Sequence, residues 1–205
     1  MTTLSRTTAT LATVLFAATV AFAQPAGAPA AKPMTTATPA ATASPSPSGF
    51  RAELLRQIDE NQKKIMDLAA AVPAEKYDWR PAPGVRSVGE VYMHIAGANF
   101  LFPSLWGVKP EAGVEPRGFE KQGGDKAKVK ETLALSFDHL RRAINGVPEA
   151  ELGKAIKVFG QEGTVREAMM GASGHLSEHL GQSIAYARMN GVVPPWSAGS
   201  GGGGQ

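Results

Sequence analysis

The chain has 205 residues, no cysteine, 43% apolar residues and a formal net charge of +3. Arg6 and Lys32 are the only charged residues before residue 49, so the rest of the chain carries +1, which excludes the clustered positive charge of a nucleic-acid-binding surface. Without cysteine there is neither a disulfide framework nor a thiol nucleophile, a composition that suits a protein leaving the cytoplasm.

The first 23 residues read as a signal peptide. Arg6 supplies the positive charge, residues 9–20 form an uninterrupted run of small, apolar and threonine residues, and Ala21-Phe22-Ala23 gives a small-x-small cleavage pattern before Gln24. The apolar run is shorter than the roughly 20 residues that span a bilayer, so no stable membrane insertion is expected after processing near Ala23. The expected destination is the periplasm or the medium. Residues 24–48 are almost entirely Ala, Pro, Thr, Ser and Gly, a composition that buries too little side chain to offset the entropy of ordering, and they read as a disordered linker. Residues 49–196 form the one expected folded domain, and residues 197–205 a Gly-rich disordered tail.

Four segments of the domain carry helical periodicity, and none shows sustained period-two alternation. The first, residues 50–72, places Leu54, Ile58, Ile65, Leu68 and Val72 on one face, interrupted by Asn61. Prolines 81 and 83 with Gly84 then forbid a helix until Ser87, which with Glu90 forms a capping box. The helix it opens has the stripe Val88, Val91, Ile95, Ala98 and Phe102, with His94 on its shoulder and Tyr92 turned away from His94. A long loop with Pro110, Pro116, Gly123 and Gly124 leads to the third helix, residues 125–145, whose stripe is Val129, Leu133, Phe137, Leu140 and Ile144. Thr164 and Glu167 form a second capping box, opening a helix that runs to about residue 190 with Val165, Ala168, Met169, Ala172, Leu176, Leu180, Ser183 and Ala187 inward. Four amphipathic helices predict an all-α, antiparallel-type four-helix bundle, and the long second connection leaves room for a non-simple helix order. Trp79, Trp106 and the segment from Val192 to Trp196 read as core or loop anchors.

His175 and His179 are one turn apart, so both imidazoles can meet one ion. They lie on the side of Ala168 and Ala172, small residues expected to leave space above it. A lone histidine on a helix edge is more often held by a carbonyl or water, and helix phase does not fix whether His94 points at the pair. His139 lies well away from the stripe of its helix and is expected to face solvent. The pattern is not that of a zinc protease, because Leu176 stands where H-E-x-x-H requires glutamate.

Residues 72–87, Val-Pro-Ala-Glu-Lys-Tyr-Asp-Trp-Arg-Pro-Ala-Pro-Gly-Val-Arg-Ser, followed by His94-Ile95-Ala96-Gly97 and His175-Leu176-Ser177-Glu178-His179, resemble the DinB-like superfamily of metal-binding four-helix bundles. The resemblance covers about residues 50–196. It implies one metal ligand at His94 and two at His175 and His179, a divalent ion such as zinc or nickel with water completing its coordination, and frequently a homodimer. The superfamily includes thiol-dependent S-transferases and mycothiol-dependent maleylpyruvate isomerases. Their low-molecular-weight thiols are cytosolic, so an exported member favours hydrolysis or plain metal binding. The expectation is therefore a metal-dependent enzyme that activates water or a thiol toward a small-molecule substrate. Its alternative is a non-catalytic metal-binding or structural bundle, with a site closed by a fourth protein ligand, and a third reading is a bundle that binds no metal. No separate general base stands out, since Glu90 is explained by its cap.

Overall fold

The computed structural model describes residues 49–197; the expected signal peptide and linker, and the tail beyond Ser197, lie outside them. Four α-helices are present among the described residues, α1 (Phe50–Ala71), α2 (Val88–Ser104), α3 (Lys126–Asn145) and α4 (Val165–Met189). Every residue assigned above to an inward stripe is buried. None of these helices is long and apolar enough to cross a membrane.

The helices neighbour one another in the cyclic order α1, α3, α2, α4, so consecutive helices α1 and α2 lie on a diagonal. Lys126, at the start of α3, donates to the carbonyls of Ala70 (2.8 Å) and Val72 (2.6 Å) at the end of α1, so these two are antiparallel. Near the start of α2, Gly89 abuts Gly123, and further along Asn99 donates to Ser136 of α3 (3.1 Å), so α2 and α3 run parallel. Two parallel neighbours oblige residues 105–125 to travel back along the bundle. This crossover includes the 3₁₀ helix Pro116–Gln122. Its close approach depends on glycine: a Cβ on Gly89 would overlap the Gly123 carbonyl, and one on Gly97 would press on the Pro116 carbonyl at 3.3 Å.

The two helices that carry the histidine motifs begin alike. In α2, the amides of Val88 and Gly89 donate to the carbonyls of Trp79 (3.0 Å) and Tyr77 (2.9 Å), and Ser87 and Glu90 close the capping box. In α4, Val165 and Arg166 donate to Lys154 (3.1 Å) and Leu152 (2.9 Å), and Thr164 and Glu167 close the box. The first three free amides of each helix are thus satisfied by the preceding chain, which fixes the phase of the histidines about two to four turns later.

Two sequence expectations are corrected. A two-stranded antiparallel hairpin, β1 (Ala155–Val158) and β2 (Gln161–Thr164), precedes α4. Each strand has four residues and β2 reads Gln-Glu-Gly-Thr, too short and too polar to display an alternation; the turn residues Phe159 (φ 48°) and Gly160 (φ 88°) are both left-handed, as a two-residue hairpin turn requires. His139 does not face solvent but is 3% exposed. Thr132, Ser136, His139 and Ala143 form a second buried stripe on α3. The crossover brings Glu111 to 3.3 Å from His139 Nδ1, and Phe100 of α2 packs on the imidazole with ring centroids 4.5 Å apart.

The expected anchors are met in part: at the chain end Val193 is 61% and Trp196 38% exposed, so Trp196 lies on the surface of the bundle and not in its core. Trp79 packs edge-on against Tyr186 (5.5 Å), and Val192 and Trp106 pack against the core. Tyr77 is fully buried and donates to the Ala69 carbonyl (2.6 Å), tying the loop before α2 to the end of α1.

Candidate metal centre

Antiparallel packing of α2 on α4 sets His94 against His175 and His179. One ring nitrogen from each lies within 4.8 Å of the others, and no fourth His, Asp or Glu joins the group among the described residues. His94 Nε2 and His175 Nε2 are 3.1 Å apart, and the His175 and His179 ring centroids 4.3 Å. All three side chains are half-buried.

Two of the rings are held from behind. Glu120 accepts from His94 Nδ1 (3.0 Å) and also from Arg86 Nε (2.9 Å). Burial opposes ionisation of Glu120, but its hydrogen bonds to Arg86 and His94 and the Arg86 charge together keep its carboxyl below the usual range. An ionised Glu120 can only accept, so the His94 proton sits on Nδ1 and the Nε2 lone pair points into the cluster. Gln182 Oε1 plays the same part for His179 Nδ1 (2.8 Å), while its Nε2 donates to the Tyr186 hydroxyl (3.1 Å). His175 Nδ1 is buried with no partner among the described residues.

Burial first, and then the two neighbouring imidazoles and Arg86, push the His175 pKa down to about 4; burial and the Arg86 charge hold the His94 pKa below its ordinary value against the opposing pull of Glu120. Both rings are therefore neutral near pH 7, the form that donates a lone pair to a metal. Three imidazoles and no carboxylate in the cluster fit a borderline-soft divalent ion and leave coordination positions free of protein.

Those positions adjoin a cavity of about 400 Å³ lined by His94 and His175. The space is opened by Gly97 and Ala98 of α2, while Ala168 and Ala172 are packed into the core and do not line it. Asn61 does not reach the histidines but donates to Ser177 Oγ (3.0 Å), a link between α1 and α4. Glu90 completes its cap and also grips Arg80 through two hydrogen bonds (2.9 and 3.0 Å), pinning the loop before α2.

Sequence reading missed Glu120 and Gln182. Gln182 is three residues after His179 on one helix face, a spacing that was visible; Glu120 is 26 residues from His94, and its only signal is the run of glycines that lets the crossover close on α2.

The fold has solved counterparts. A DinB-like protein from Bacillus cereus ATCC 10987 superposes with a TM-score of 0.62 at 18% identity, covering 70% of this chain and 95% of that one. A conserved protein from Enterococcus faecalis gives 0.54 at 18% identity over 67% and 95% of the two chains, and a DinB-like protein from Bacillus subtilis 0.54 at 16% over 69% and 94%. At these identities the likeness is one of fold. No curated protein matches this chain. The family model described as the DinB superfamily matches residues 57–183, more than half of the sequence, and the chain belongs to that superfamily.

Proposed function

We propose that this chain is an exported, metal-dependent enzyme that binds a divalent ion, zinc or nickel, through His94, His175 and His179 and acts on a small-molecule substrate by hydrolysis or thiol transfer. The observation that carries the reading is the convergence of three ring nitrogens within 4.8 Å beside a cavity of about 400 Å³, large enough for a small ligand. Bound there, the ion would supply the positive charge that brings deprotonation of a water or thiol within reach of neutral pH.

The protein's own part is positional. Glu120 and Gln182 fix the tautomers and ring planes of His94 and His179, and Arg86 holds Glu120 in place. Apolar cavity walls limit the water that reaches the histidines and so strengthen the electrostatics of the site. The signal-peptide pattern of residues 1–23 supports export, and export favours hydrolysis over transfer of a cytosolic thiol.

Elemental analysis of purified protein tests the metal reading. About one equivalent of a divalent metal is expected in the wild type and almost none in His94→Ala, His175→Ala or His179→Ala. Wild-type protein that takes up no zinc or nickel, or retention unaffected by the three substitutions, would contradict it.

A further inference from the structure

The cavity follows α2 from His94 to Ser104, roughly 15 Å of helix, and its walls along that length, including Ala98, Leu101 and Pro110, are mainly apolar. Two charged side chains besides the histidines line it, Glu120 and Arg117. Glu120 is engaged by His94 and Arg86. Arg117 is exposed and has no salt-bridge or hydrogen-bond partner for its guanidinium among the described residues.

Arg117 is placed by the same crossover that delivers Glu120. The two are three residues apart in the 3₁₀ helix Pro116–Gln122, whose three-residue turn sets them on one edge, roughly 6 Å apart along the axis. Pro116 meets α2 at Gly97, three residues beyond His94. Arg117 therefore enters the cavity about 5 Å, one helical turn, along α2 from the histidines.

We propose that the cavity takes small organic anions with an apolar body. The carboxylate or comparable anionic group sits on Arg117, the apolar part lies along Ala98 and Leu101, and the bond to be attacked is about one helical turn from the anionic group, against the histidines. Its last element rests on the functional reading above; recognition of the anion by Arg117 does not. A guanidinium offers two parallel donors to a carboxylate, and solvent exposure of Arg117 holds the expected preference to about fivefold.

The test uses 3-phenylpropionate and 3-phenyl-1-propanol, probes with the same apolar body, titrated by protein-observed NMR into the full chain after chelator treatment and again after zinc loading. In the chelator-treated protein the carboxylate should bind about fivefold more tightly than the alcohol, with shifts at Gly97 and Leu101. Arg117→Gln should bring the two probes to equal affinity, and Arg117→Lys should restore part of the difference. Equal affinities in the wild type, a preference untouched by Arg117→Gln, or no binding of either probe at millimolar concentration would overturn the proposal. A preference found only after zinc loading and surviving Arg117→Gln would place the carboxylate on the metal and overturn it too. The chelated arm needs no ion, so a protein that failed to bind zinc would sink the functional reading while leaving anion recognition measurable.

Discussion

His94 and His139 each present Nδ1 to a carboxylate carried by the crossover, Glu120 at 3.0 Å and Glu111 at 3.3 Å. Beyond that shared contact they diverge. The other nitrogen of His94 meets His175, whereas Nε2 of His139 is buried with no partner among the described residues and its ring stacks on Phe100. His139 is the more deeply buried of the two, so depth is not what marks a metal site. Convergence of several lone pairs marks it, and that depends on how α2 and α4 pack.

The largest expected effects separate the two histidines by what each supports. His175→Ala should abolish metal binding, a loss of at least about a hundredfold in affinity, while His139→Ala should retain the metal. Conversely, His139→Ala should lower the urea-unfolding free energy of chelator-treated protein by about 2 kcal/mol, because it opens a cavity under Phe100. His175→Ala should cost clearly less under the same conditions. Metal retention by the His175 variant, or a harmless His139→Ala, would erase the distinction.

The two carboxylates should differ next. Glu120→Gln should weaken zinc affinity about tenfold in a competition titration, since the orienting charge behind His94 is removed. Glu111→Gln should leave it within about twofold. Equal effects would mean that both act through the crossover as a whole.

A further difference concerns pH. Unfolded His175 should titrate near its ordinary 6.5, whereas the folded group is held down to about 4, first by burial. Between those values the unfolded state binds the proton that the folded state refuses, so stability of the chelator-treated protein should fall as pH drops through this window. Carboxylates held below their usual range, such as Glu90 and Glu120, add acid sensitivity at the lower end. Comparing urea midpoints of wild type and His175→Ala between pH 7 and 4.5 isolates the histidine contribution; the variant should show the flatter profile, and parallel profiles would contradict it.

The helices and their buried stripes were legible because each is long, amphipathic and, for α2 and α4, opened by a capping box. Most of what escaped the sequence was made by one segment. Helix order alone does not reveal that α2 and α3 run parallel, and therefore does not reveal a crossover lying along them. That crossover supplies Glu120 to His94 and Glu111 to His139, and helps bury a second stripe of α3 that a one-stripe helical wheel assigns to solvent. The hairpin before α4 escaped for a different reason, since two four-residue strands are set by their left-handed turn at Phe159 and Gly160 more than by any pattern of side chains.

The central claim is that three histidines from two helices, and no fourth protein side chain, surround the metal. Zinc K-edge X-ray absorption of the zinc-loaded protein tests it most directly. The account predicts three imidazole nitrogens at about 2.0–2.1 Å, with the remaining light scatterers replaceable by an added anion. Fewer than three imidazoles, or a first coordination sphere that no added anion alters, would contradict it.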